Sequence, residues 1–183
     1  DLIRIAVNRD KVIKAVSFLE KIKEKGYKTS LQAMGFTAYT DQEKQQLKKA
    51  VLASNLDYFY IADSYGSILP DEMLSIFEPF LDVAPTKVGF HPHNSLQMAF
   101  ANTLEAIKIG VDIVDSTIYG MGRGAGNLPT ETLIAYLQLK KKTKYNVIPI
   151  LSCIEKYFID LHESDPWGYQ LPYLISGMFK CHP

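Results

Sequence analysis

Neither sign of charge predominates in this sequence: 20 lysines and arginines face 20 aspartates and glutamates over 183 residues, with a pI near 7.1. A balanced chain has no electrostatic footprint for nucleic acid or an anionic bilayer, so neither is expected as a partner. The Lys-rich run from Lys140 to Lys144 reads as the solvated end of a helix. Cysteine is scarce. Cys153 and Cys181 stand far apart in no metal-binding spacing, which argues against a disulfide framework and for reduced cytosolic thiols. Long apolar runs are missing: none approaches the roughly 20 residues that cross a bilayer, and no signal peptide opens the chain. A cytoplasmic protein is expected. Histidine is rare as well, yet two of the four lie one residue apart, at His91 and His93.

What the chain does have is apolar residues, 47% of the total, enough for one packed unit. They fall in an alternating pattern. Short β-rich runs begin at Leu2 (LIRIAV), Tyr27 (YKTSLQAMGF), Leu56 (LDYFYIAD), Thr86 (TKVGF) and Val111 (VDIVDS). They recur at roughly the length of one β/α unit. Between them lie helical patterns at Asp10–Lys25, Thr40–Ser54, Pro70–Val83, Leu96–Ile109 and Thr130–Lys141, each with one apolar face. Thr40 with Glu43 forms a capping-box pattern, and Gly26 and Gly110 stand where helices should stop. Near-continuous apolar strands with helical crossovers define an α/β class with a parallel sheet covered on both faces. Two architectures satisfy that description: a doubly wound sheet, or part of a closed eight-stranded barrel. A complete barrel needs about 250 residues, so a barrel reading places its N-terminal strands outside this sequence.

In a strand, residues two apart share a face, so His91 and His93 project to one side and Pro92 to the other. Two imidazoles can then converge on one ion. Proline donates no ladder hydrogen bond, which places these residues where pairing ends, at the C-terminal mouth that binds ligands in parallel α/β folds. The preceding strand ends in Asp63-Ser64-Tyr65-Gly66, an acid and a hydroxyl at the same mouth. Asp63 alone reads as a turn residue. After the fifth strand, Gly120, Gly122, Gly124 and Gly126 alternate within Tyr119 to Asn127, a loop whose glycines allow close backbone approach to a ligand.

Taken together these residues resemble the HMG-CoA lyase-like family of metal-dependent (β/α)8 barrels, from about Leu2 to Lys141. The most specific parts are Gly89-Phe90-His91-Pro92-His93-Asn94, Ala99-x-Ala101-Asn102 with Ala106 and Gly110, Val114-Asp115-Ser116, and Gly120 through Asn127 with Glu131. The resemblance implies that His91 and His93 bind a divalent metal, with Asn127 as a further candidate ligand. It also implies an aspartate from the first barrel strand. That Arg-Asp segment has no counterpart here, since Arg9-Asp10 follows a different strand. The segment alone is therefore expected to hold metal weakly and to be inactive.

Asp63-Ser64-Tyr65-Gly66 is similar to the Asp-Ser-x-Gly of the family's aldolases rather than the Asp-Thr-x-Gly of its synthases, and the glycine loop lacks the cysteine of its lyase subgroup. The implied reaction is cleavage of a 4-hydroxy-2-oxo acid to pyruvate and an aldehyde, with Mn2+ or Mg2+ as Lewis acid; ligand softness leaves Zn2+ and Co2+ open. Asp63, Ser64, Gly124 and Gly126 are the implied substrate contacts, with Ser64 on the keto-acid carboxylate. The general base is expected from the missing N-terminal strands. Two alternatives stand beside this: a Claisen-type acyltransferase resembling isopropylmalate synthase, and a catalytically silent barrel with a scaffold role. From residue 145 a helical extension is expected, with residues 1–144 as the barrel part. In the extension Ile154, Tyr157, Phe158 and Leu161 have helical spacing, and Trp167-Gly168-Tyr169 forms an aromatic turn before another helix. Packing is the expected role of this tail, and Tyr169 and Tyr173 are its candidates for approaching substrate. A homo-oligomer or an aldehyde dehydrogenase partner is implied by the same resemblance.

Overall fold

The structure, a computed structural model, describes residues 1–141 and 144–181; Lys142 of the lysine run and the fourth histidine, His182, lie outside them. The chain divides into two compact units. The first contains Asp1–Ser64, Ile68–His91 and Asn102–Val114, and the second Tyr65–Ser67, Pro92–Ala101 and Asp115–Pro183. Among the described residues no helix is long and apolar enough to cross a membrane.

The sheet has five strands, β1 (Leu2–Val7), β2 (Lys28–Ala33), β3 (Tyr58–Asp63), β4 (Lys87–Pro92) and β5 (Ile113–Val114), in the order β1-β2-β3-β4-β5. The pairs β1–β2, β2–β3 and β4–β5 run parallel. A doubly wound sheet reverses its strand order at a switch point, and this order never reverses, so of the two architectures the barrel is the one observed. Helix α1 (Val12–Lys23) joins β1 to β2, and α2 (Asp41–Ala53) joins β2 to β3. The capping box at Thr40 is present: the Glu43 N–H donates to Thr40 Oγ1, and the Thr40 N–H donates to Glu43 Oε2 at 2.8 Å.

Several elements are shorter than the sequence pattern predicts, and three of them bear on the site. The expected helix Pro70–Val83 is a 3-10 turn, a five-residue helix α3 (Met73–Phe77) and a second 3-10 turn, Glu78–Phe80. Pro79 is the cause, because it lacks an N–H and its ring collides with the carbonyl four residues back. The next helix, α4 (Ala99–Lys108), starts three residues late, where Asn94 Oδ1 accepts the Ala99 N–H at 3.1 Å. Strand β5 ends at Val114, and the Thr117 N–H donates instead to Leu128 O.

The apolar core of the first unit lies between sheet and helices. Leu19, Leu31, Phe59, Ile61, Phe77 and Phe80 are fully buried there. The Phe80 ring lies 5.1 Å from that of Phe59 and 5.7 Å from that of Phe36, contacts worth about 1 kcal/mol each beyond area burial. The opposite face of the sheet carries a polar layer. Gln32 and Tyr60 are register partners, the Arg4 guanidinium sits 3.8 Å above the Tyr60 ring, and Arg4 Nη1 donates to Gln32 Oε1. A Cβ at Gly89 would fall on the Tyr60 ring, so β4 presents glycine there and His91 on the same side, two residues further.

Acids staple the N-terminal ends of the strands. Asp57 Oδ2 accepts the Thr29 N–H at 2.8 Å while its Oδ1 lies 3.1 Å from the Lys23 ammonium. In the next repeat but one, Asp112 Oδ2 accepts the Val88 N–H at 2.8 Å. Burial pulls the Asp57 carboxyl upward, but the Thr29 N–H and Lys23 outweigh it, and its pKa lies below the ordinary value. A depressed folded-state pKa gives stability that is complete above the unfolded value and disappears as pH falls through the folded one. Asp57→Asn is therefore expected to lower the urea midpoint at pH 7 and to leave it nearly unchanged once the pH is below the depressed pKa of the folded state. Equal losses at both pH values would assign the staple to shape rather than charge.

The second unit holds the glycine-rich loop, α5 (Thr130–Leu139) and the tail. In the tail, α6 (Ile148–Cys153) passes through a π-type turn, Ile154–Phe158, into α7 (Ile159–Ser164), followed after an aromatic turn by α8 (Leu171–Met178).

Candidate functional site

In the first unit the site residues stand at the C-terminal ends of strands. Asp63 closes β3 with no exposed surface, and its Oδ2 accepts the Ile68 N–H at 3.1 Å, which is the work of a turn residue. Ser64 follows it. The Gly35 N–H, just past β2, donates to Ser64 Oγ at 2.7 Å. A hydroxyl that accepts from the backbone still has its own hydrogen to give, so Ser64 is set as a donor. His91 is the penultimate residue of β4 and is partly exposed.

In the second unit His93 faces Asn127 across an isolated antiparallel bridge, and the Asn94 N–H donates to Gly126 O at 3.0 Å beside it. The glycine loop is thereby fastened along the residues that follow β4. Its own closure is backbone on backbone: the Asn127 N–H donates to Gly120 O at 3.0 Å, and the Gly126 N–H to Arg123 O at 3.2 Å. Asn127 Nδ2 donates to Met121 O at 3.2 Å, which fixes the amide, while Asn127 Oδ1 is buried and accepts no hydrogen bond from the described residues. An orphaned buried oxygen costs about 1–3 kcal/mol unless something fills its lone pairs.

Gly124 and Gly126 have φ of 63° and 75°. Tyr173, on α8, lays its ring against Gly124, and the Gly168 N–H donates to Gly124 O at 3.0 Å. Tyr169 is 58% exposed. Three further residues join the loop to the tail, and sequence reading did not single them out as a group. Trp167 Nε1–H donates to Tyr119 O at 2.9 Å, His162 Nε2 lies 2.7 Å from Trp167 O, and the three rings meet edge to face. Tyr119 holds the left-handed conformation at φ 57°, a strained state for a side-chain-bearing residue, with its N–H donated to Glu131 Oε2 at 3.0 Å. Such strain persists where the surroundings over-determine it, and here both backbone polar groups of Tyr119 are held.

Among the described residues no three His, Cys, Asp or Glu side chains gather to hold a metal. Within the second unit the bridge carries one imidazole, that of His93, and one amide oxygen, Asn127 Oδ1, that has no hydrogen-bond partner among the described residues. Nitrogen and oxygen donors with positions left for further oxygen ligands fit a divalent cation.

A parallel sheet in unbroken sequential order, with its polar residues at the C-terminal strand ends, defines part of a (β/α)8 barrel enzyme fold. Residues 3–155 match the HMGL-like family model, and the chain belongs to that family. It is 35% identical over 138 residues to the oxaloacetate decarboxylase of Mycobacterium tuberculosis, covering 75% of this chain and 41% of that protein. It is 31% identical over 161 residues to the 4-hydroxy-2-oxovalerate aldolase of Geobacillus thermodenitrificans, covering 85% of this chain and 46% of that one. The chain thus spans less than half the length of these curated relatives. Among solved structures it is similar to the N-terminal domain of an aldolase-like protein from Bacteroides vulgatus, with a TM-score of 0.89 and 34% identity over 99% of this chain and 60% of that one.

Proposed function

We propose that the full-length protein is a divalent-metal-dependent carbon–carbon lyase that cleaves a 4-hydroxy-2-oxo acid to pyruvate and an aldehyde. The observation that carries this reading is Asn127 Oδ1, buried and without a hydrogen-bond partner among the described residues, in a glycine loop bridged to His93. His91, His93 and Asn127 would hold Mn2+ or Mg2+, and the cation would supply Lewis acidity for cleavage of the C3–C4 bond. Ser64 donates its hydroxyl hydrogen to the 2-oxo acid carboxylate. Asp63, whose Oδ2 accepts the Ile68 N–H and so holds the turn, is the neighbouring candidate for the same substrate. The glycine loop keeps side-chain bulk away from the bound acid. No residue of this chain is assigned the general base.

A second reading is favoured by the decarboxylase relative. Loss of CO2 from oxaloacetate and loss of an aldehyde from a 4-hydroxy-2-oxo acid both break C3–C4 and both leave the enolate of pyruvate. One test separates them. The full-length protein is given Mn2+ and, in turn, 4-hydroxy-2-oxopentanoate, oxaloacetate, and acetyl-CoA with a 2-oxo acid. Equal pyruvate and aldehyde from the first substrate is the expected result. CO2 from oxaloacetate alone would make it a decarboxylase, free CoA an acyltransferase, and silence on all three with either Mn2+ or Mg2+ a scaffold.

A further inference from the structure

The second unit contains a cavity of about 360 Å³ that the proposed chemistry leaves unused. One wall is the glycine loop at Gly122, Arg123 and Gly124; the other is the tail at Asp165, Trp167 and Tyr173. Its volume is that of a small-molecule site. Its position is informative too, because a Cβ on Gly122 would fall on the Asn127 amide. One wall residue of the cavity, Gly122, thus lies against the amide of Asn127, the residue proposed to face the metal.

The polar lining is of two opposite kinds. Arg123 brings a guanidinium, which only donates, and among the described residues it makes no side-chain hydrogen bond or ion pair. The Gly122, Arg123 and Gly124 amides likewise donate to nothing among the described residues. Asp165 brings a carboxylate, which only accepts, and its side chain has no partner among the described residues either. An anionic ligand would satisfy Arg123 and the amides but be repelled by Asp165, and a cationic one would do the reverse. A hydroxyl is the small group that accepts and donates at once, and neighbouring hydroxyls can serve both walls. Trp167 and Tyr173 add aromatic surface for the intervening carbons. The indole is already oriented, since its N–H is held by Tyr119 O.

We propose that this cavity is the subsite for the aldehyde half of the substrate and that it selects a polyhydroxylated, sugar-like aldehyde over a plain alkyl one. The inference rests on the lyase reading above and deepens it. Arg123 and Asp165 are the specificity residues, Arg123 donating to one hydroxyl and Asp165 accepting from its neighbour. A site that hydrogen-bonds substrate hydroxyls rejects analogues lacking them, because its polar groups are then left unmatched.

Two measurements on the full-length protein test it. Deuterium exchange into the pyruvate methyl group with Mn2+ reads the lyase chemistry by itself, and its absence would remove that reading. Given exchange, aldol addition of pyruvate to erythrose and to butanal is compared. The expected ratio of kcat/KM favours erythrose by about tenfold or more, and Arg123→Ala and Asp165→Asn each collapse that ratio about tenfold. The second measurement needs no turnover. Trp167, the sole tryptophan of this chain, should report erythritol binding as a saturable fluorescence change that butan-1-ol does not give and that Trp167→Phe removes. Equal use of both aldehydes, or a fluorescence response to inorganic phosphate exceeding that to erythritol, would overturn the proposal, the latter in favour of an anion site.

Discussion

Replacing His93 with alanine in the full-length protein is expected to lower pyruvate release from a 4-hydroxy-2-oxo acid by about 1,000-fold, equivalent to about 4 kcal/mol of barrier. The loss should appear with a matching fall in bound Mn2+. His93 stands in the bridge opposite Asn127, and the imidazole is the only titratable side chain on that segment after β4. Removing it leaves Asn127 Oδ1 as the sole donor of that pair, and an amide oxygen alone holds a divalent cation poorly. His93 is half-buried and is not one of the buried core residues, so the thermal midpoint should move by no more than a few degrees. His91→Ala should behave alike if the two imidazoles act together, and the double variant should lose little more than either single one. Full activity in the His93 variant with unchanged metal content would end the metal assignment.

The second large effect is structural. Gly126→Ala is expected to destabilise the protein by about 3 kcal/mol and to abolish activity at the same time. Position 126 holds φ at 75°, which costs an L-residue about 1–2 kcal/mol, and a Cβ there would land on the Gly120 carbonyl oxygen. That oxygen accepts the Asn127 N–H, so relieving the collision moves Asn127 itself. Gly26→Ala is the control. Its φ of 88° is as demanding, but nothing lies within 4 Å of the added carbon, so the loss there should be about 1 kcal/mol with activity kept. Calorimetric midpoints of the two variants separate backbone strain from collision, and a Gly126 variant no less stable than the Gly26 variant would remove the collision argument.

Much of this molecule is legible one segment at a time. The strands show because β-rich runs are bounded by turn residues, and the Thr40 cap shows because its partners are three residues apart. His91 and His93 show because period-two spacing on a strand needs no tertiary information. Features built from distant segments do not show. The Trp167 hydrogen bond to Tyr119 joins residues 48 positions apart, and no local pattern marks an indole as an anchor. The same holds for the cavity between the glycine loop and the tail, where Arg123 and Asp165 acquire meaning only by being brought together. Pro79 shows a different failure: the apolar spacing around it is helical, yet one missing N–H divides the element into three. Asp63 was legible both ways, and its buried contact with the Ile68 N–H is the turn role that short-range rules describe.

The staples at Asp57 and Asp112 have a consequence for how such a chain can change. Each ties the start of one strand to the backbone of its neighbour, so a one-residue slip would break the contact and turn every side chain on that strand to the wrong face. Registration is thus set at the strand beginnings, whereas Ser64 and His91 stand at strand ends. A descendant, natural or built at the bench, can therefore exchange the loops that choose a substrate while the alignment of the strands beneath them stays locked.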